Sequence, residues 1–107
     1  MNMVTEQLQG GSVATKANVF FDGKCVSHTV ILPNGEKKSV GVVLPATLTF
    51  NTADAEIMEC VAGACEYKLA GSEAWQHAGP GDQFSVPANS SFQIKVAEAY
   101  HYICHFG

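Results

Sequence analysis

From residue 18 onward, apolar residues fall in short β-rich runs separated by turn residues. No segment sustains a 3.6-residue apolar period with caps, so the pattern predicts almost no helix. Runs at 25–32 and 38–44 flank Pro33, Asn34, Gly35 and Glu36, and the Asn-Gly pair predicts a tight hairpin turn. Further runs are predicted at 47–51 and 57–61, split by a polar corner at 52–55. Ala62 and Gly63 turn into a run at 64–69, and residues 70–73 turn into a short run at Trp75. A strong turn at 79–82 precedes 84–86, which stops at Pro87 because proline cannot donate to a central ladder. Phe92, Ile94 and Val96 alternate, and 100–106 closes the chain. Many short antiparallel runs with Gly, Pro and Asn turns predict an all-β sandwich or barrel.

The 107 residues suit one domain, and 47% apolar content suffices for one core. A domain this small is only modestly stable alone, so a homodimer is expected. Residues 1–16 are polar and contain glycine, and are expected to form a flexible N-terminal arm, with the barrel over 17–107. They lack a basic start followed by an apolar core, and no apolar run approaches the ~20 residues of a membrane span. A cytoplasmic protein with no membrane partner is expected.

Net charge is -4 and the only basic pair is Lys37-Lys38, which argues against a nucleic-acid partner. All six basic residues are lysines, so the usual bidentate phosphate clamp is missing. Cys25, Cys60, Cys65 and Cys104 include no C-x-x-C pair, and a zinc site is poorly supported. Cys60 and Cys65 could face each other across Gly63, but buried thiols are the expected state in a reducing compartment. His28, His77, His101 and His105 have no metal-ligand spacing; His101 and His105, four apart on a strand, would stand ~13 Å from each other.

Residues 81–92 hold a glycine at 81, five intervening residues, Pro87, and a polar turn leading to Phe92. Glu56 and Gly63 are separated by six residues. Both stretches resemble the two signatures of a cupin, a double-stranded β-helix or jelly-roll barrel. In that register a metal-binding histidine is replaced by Phe92, and the two histidines ahead of the glutamate are replaced by Thr49 and Asn51. The resemblance thus implies a single-domain barrel that keeps one of four metal ligands. Residues 17–24, Ser27, 41–45, 48–53 with Glu56 and Met58, 81–92 and 102–104 together resemble one small cupin family, the pyrimidine/purine nucleoside phosphorylases. The likeness covers about residues 17–106. It implies phosphorolysis of nucleosides to a free base and a pentose 1-phosphate, with broad tolerance for the base.

In the register of the resemblance, Glu56 points into the barrel, where a carboxylate without metal needs a hydrogen-bonding partner. It is expected to act with Thr49 and Asn51, which would share a strand face and bind ribose hydroxyls. Phe92, Tyr102 and Met58 are candidate walls for the base, through stacking that does not read its edge; Phe84 is expected in the core. Ser90 and Ser91 could offer hydroxyls and turn amides to phosphate, although Asn-Ser-Ser is also simply a good turn. His105 follows a cysteine at a position that can carry arginine in related sequences, and is a candidate cation or hydrogen-bond donor for phosphate. No metal and no cofactor are expected; inorganic phosphate is a co-substrate. Nucleosides and phosphate are thus the expected small-molecule partners. A general acid for the leaving base is not identifiable, with Tyr102 and water both open. Two other classes also stay open: a non-catalytic cupin binding a small sugar-like or nucleotide-like ligand, and a filled structural barrel. A metal-dependent oxygenase fits poorly, with Glu56 alone left of the ligand set.

Overall fold

The computed structural model describes residues 4–107. These form an all-β domain of eleven strands and one 3-10 turn, Phe21–Gly23. In chain order the strands are β1 (Ser12–Val13), β2 (Asn18–Phe20), β3 (Cys25–Ile31), β4 (Lys37–Val43), β5 (Ala46–Asn51) and β6 (Glu56–Ala62). They continue with β7 (Cys65–Leu69), β8 (Gln76–Ala78), β9 (Gln83–Val86), β10 (Ser91–Val96) and β11 (Tyr100–Phe106). The larger sheet has the order β1-β3-β4-β11-β6-β9, with β2 also pairing β3; the smaller has the order β5-β10-β7-β8. Two antiparallel sheets facing each other make the jelly-roll expected of a cupin.

The turns follow their sequence. Gly35 takes a φ of +89°, open to glycine at no steric cost. The Leu32 carbonyl accepts from the Gly35 N–H at 2.9 Å, and the Asn34 side-chain oxygen accepts from the Glu36 N–H at 2.9 Å. The segment expected as an arm, 1–16, lies partly outside the described residues; within it, Ser12 and Val13 pair with Ile31 and Val30 on β3. Among the described residues no helix is long and apolar enough to cross a membrane.

The smaller sheet shows regular alternation. Leu48, Phe92, Ile94 and Val96 are buried, while Thr47, Thr49 and Lys95 are exposed. Ile94 has no exposed surface, and burying such a side chain contributes about 1.5–3 kcal/mol relative to leaving it in water. Opposite stand Val43, Met58, Phe84, Val86, Tyr100 and Tyr102 of the larger sheet. Phe84, as expected, is in this core, stacked on Tyr67 at 3.8 Å between centroids and edge-on to Phe92 at 5.7 Å.

Candidate functional site

The two sheets do not close completely. A cavity of about 300 Å³ lies between them, at the small end of the range for ligand sites. Its floor is the inner face of the larger sheet, and the antiparallel register sets that face out in rungs. At the rim, Phe106 pairs with Glu56 on one side, and on the other the Lys37 ammonium sits 4.7 Å from the Phe106 ring centre. One rung deeper, Thr29 pairs with Ser39, Ser39 with Cys104, and Cys104 with Met58. Below that, Ser27 pairs with Gly41 and Gly41 with Tyr102. The β3–β4 side of the cavity is therefore polar, although a barrel core would ordinarily be apolar there.

The opposite wall is aromatic. Phe50 pairs with Phe92 across β5 and β10 and stacks on it, with centroids 5.4 Å apart and planes 19° from parallel. At the mouth, Phe21 meets Phe50 edge-on at 5.3 Å, and Phe20 does so at 6.5 Å. Phe21 and Asp22 both hold φ at +53° ahead of Gly23 at +91°. A left-handed conformation costs a non-glycine residue roughly 1–2 kcal/mol. The turn is thus a strained segment that sets Phe21 against Phe50, beside Phe20, which lines the cavity.

Glu56 is half-buried at the rim. Burial pushes its carboxyl pKa above the usual range, the negative charge of Asp54 adds to that, and the Cys104 thiol opposes it. The Cys104 sulfur donates to Oε1 at 3.5 Å. Burial, followed by the neighbouring Glu56, pushes the Cys104 thiol far up, so it serves as a neutral donor. Tyr102 is buried, with its hydroxyl 3.5 Å from the Cys25 sulfur and hydrogen-bonded to Ser27. Burial, above all, raises its phenol well beyond the ordinary value, so it gives up a proton reluctantly.

Five of the residues predicted from sequence come together around this cavity: Asn51, Glu56, Met58, Phe92 and Tyr102. Phe92 is buried and faces inward. Thr49 does not join them. Its neighbours Leu48 and Phe50 fill the inward positions of β5, so Thr49 is exposed on the outer surface; Asn51 reaches the rim as the last residue of that strand. Ser90 closes the turn, its N–H donating to the Thr52 hydroxyl at 3.0 Å and its carbonyl accepting from the Thr52 N–H at 2.9 Å. Ser91 lines an outer groove with Thr49 and Gln93. His105 is on the outer face too, its Nε2 2.8 Å from Oε1 of the buried Glu59.

Asn18, Ser27, Thr29, Lys37 and Ser39 line the cavity, and the sequence reading assigned them no role. The signal was a two-residue period of polar residues, Ser27 and Thr29 on β3 and Lys37 and Ser39 on β4. It was masked because Val26, Val30, Val40 and Val42 carry the apolar alternation on the same strands. Among the described residues, no three His, Cys, Asp or Glu side chains converge as metal ligands would.

Residues 15–106 match the family described as pyrimidine/purine nucleoside phosphorylase. The chain is 69% identical to a pyrimidine/purine nucleoside phosphorylase of Paracidovorax citrulli, over 98% of this chain and all of that one. A protein of the same description from Ralstonia nicotianae is 68% identical over 97% of this chain and 99% of its own. Among solved structures, a protein of unknown function from Acinetobacter sp. ADP1 superposes with a TM-score of 0.94 at 41% identity, covering 96% of this chain and all of that chain. One from Vibrio parahaemolyticus reaches 0.81 at 37% identity, covering 88% and 97%.

Proposed function

The chain belongs to the pyrimidine/purine nucleoside phosphorylase family, and we propose that the cavity between its sheets is where a nucleoside is split by inorganic phosphate. A phosphate oxygen forms a bond to the anomeric carbon as the carbon–nitrogen bond to the base breaks. The bonding pair leaves with the base, which ends with the proton that the phosphate gives up. Products are a free base and a pentose 1-phosphate.

The observation that carries this reading is the division of the cavity into a polar side with a carboxylate and an aromatic wall. The transition state develops positive charge on the sugar, and Glu56 stands at the rim to stabilise it. Asn51 hydrogen-bonds the sugar, and Phe50, backed by Phe92, gives the base a stacking face. Tyr102, with its proton held tightly, is a neutral hydrogen-bond donor, so water is the better proton carrier to the leaving base. No metal or other cofactor enters this scheme. An aromatic wall attracts any base by stacking without reading its edge, so purine and pyrimidine nucleosides both serve as substrates.

A homodimer in the cytoplasm is the assembly we favour. The outer face of the larger sheet presents partly exposed Val26, Val40, Val42 and Val61, with Ile57 40% exposed, and a second copy would cover them. Sedimentation equilibrium reads that directly.

The test is purified, untagged protein with uridine, cytidine, adenosine and guanosine, with and without phosphate. Phosphate-dependent release of base from both classes is the expected result. Nucleoside binding without turnover would instead make this a binding module.

A further inference from the structure

Phosphorolysis needs a seat for a dianion, and the chain has no arginine to provide one. The β3–β4 side of the cavity has the chemistry. Thr29 and Ser39 are cross-strand partners, so their Cα atoms stand about 4.5–5.5 Å apart and both side chains can reach one ion. Ser39 is 7% exposed and lines the cavity, so its hydroxyl is available to a ligand there. The Asn18 amide donates to the Thr29 oxygen at 3.3 Å and to the Ser27 oxygen at 3.4 Å. A hydroxyl that accepts in this way keeps its own proton to donate. An anion rich in acceptor oxygens is the matching ligand. Lys37, on the next inward position of β4 toward the rim, supplies the positive charge.

We propose that Lys37, Ser39 and Thr29 bind inorganic phosphate, with Asn18 orienting the Thr29 hydroxyl. This rests on the phosphorylase reading. It places the nucleophile on β4 and Glu56 two strands away on β6, about 10 Å across at the ordinary strand spacing. The anomeric carbon then lies between them, above Cys104 and Phe106. The electron balance is that of phosphorolysis: the bound phosphate oxygen gains the carbon, and its hydroxyl proton passes to the departing base.

The experiment varies phosphate at saturating uridine, and uridine at saturating phosphate, for wild type, Lys37→Gln, Ser39→Ala and Lys38→Gln. Lys38 is the control: it is adjacent in sequence but bonded to Glu36 at 3.0 Å. Lys37→Gln and Ser39→Ala are expected to raise the KM for phosphate about tenfold, with the KM for uridine within about twofold of wild type. An unchanged phosphate KM in folded Lys37→Gln and Ser39→Ala overturns the assignment. So does an equal rise in Lys38→Gln, which would mean diffuse charge and not a site. If wild type shows no phosphate-dependent turnover, the phosphorylase reading fails by itself. Calorimetric titration with inorganic phosphate then decides the subsite. Binding lost in Lys37→Gln and kept in Lys38→Gln supports it, and no binding to wild type overturns it.

Discussion

The two sheets of this barrel solve different problems. The smaller sheet alternates as a half-buried sheet should, with Leu48, Phe50, Phe92 and Ile94 inward and Thr47, Thr49 and Lys95 outward. The larger sheet partly inverts the rule. β3 and β4 turn Ser27, Thr29, Lys37 and Ser39 toward the interior and Val26, Val30, Val40 and Val42 outward. A sheet that only had to pack would place its valines inside. Polar side chains kept on an inner face are what the proposed ligand site draws on, and the aromatic sheet supplies the wall opposite.

The sharpest test of that contrast is Glu56→Gln. The amide keeps volume and most hydrogen bonding, so the fold should persist while turnover falls roughly 10²-fold or more, as for loss of a group that stabilises transition-state charge. Stability should move the other way. The folded protein raises the Glu56 carboxyl above its unfolded pKa, through burial first. Charged Glu56 therefore destabilises the fold above that pKa, and the cost vanishes as pH falls through it. The glutamine variant should melt slightly higher than wild type at neutral pH and lose that advantage in mild acid. Wild-type turnover should fall over the same acid range. Full activity in a folded Glu56→Gln protein would remove the inner carboxylate from the chemistry.

Gly41 tests whether the polar face needs its shape. A Cβ there would come within 2.7 Å of the Tyr102 hydroxyl and 2.8 Å of the Val26 carbonyl oxygen. Neither can retreat easily, since one is a buried ring and the other backbone. Gly41→Ala should destabilise by about 1–3 kcal/mol, as overpacking does, and should displace Tyr102 from Ser27. Denaturant melts check the first, and the second appears as weaker nucleoside binding. A variant as stable as wild type would show that this rung is loose.

Glu59 gives the outer face its own test, on the same strand as Glu56. Burial would raise its carboxyl, but hydrogen bonds from Thr5 and His105 outweigh that and hold it below the usual range. Its stabilisation is present above the unfolded carboxyl pKa and is lost as pH falls through the lower folded value. Glu59→Gln should thus cost about 1–2 kcal/mol at neutral pH with kcat close to wild type, the reverse of Glu56→Gln. Melting curves at neutral and acid pH, with matched rate measurements, separate the two carboxylates.

How much of this was legible in the sequence depended on which sheet a residue belonged to. Pro33, Asn34 and Gly35 announced the β3–β4 hairpin because a three-residue turn that ends in a positive φ demands local chemistry. Phe92, Ile94 and Val96 announced a strand because one face is core and the other solvent. Resemblance placed Glu56 and Phe92 inward correctly. It misplaced Thr49, since the side-chain period of two leaves no tolerance for a one-residue error: with Phe50 inward, Thr49 must point out. The polar inner face of β3 and β4 stayed hidden because apolar residues on the outer face produce the same alternation. Which face is inside is decided by the opposite sheet, and no local pattern carries that information. His105 looked free to bind an anion only because Glu59 lies 46 positions away.

Thr49→Ala is the smallest expected effect and the one that separates the two sheets most cleanly. Thr49 is exposed and borders an outer groove with Gln93 and Ser91, away from Glu56. Truncating an exposed strand threonine changes stability by no more than about 0.5 kcal/mol, and no group that touches the nucleoside is removed. Turnover and both KM values should remain within about twofold of wild type, whereas Ser39→Ala, the same loss of one hydroxyl on the facing sheet, should weaken phosphate. Each change removes one hydroxyl, Thr49→Ala a methyl as well, and the two oxygens lie on opposite sides of the barrel wall. If Thr49→Ala proved the more damaging, the ligand would bind at the outer groove, and the polar lining of β3 and β4 would need another explanation.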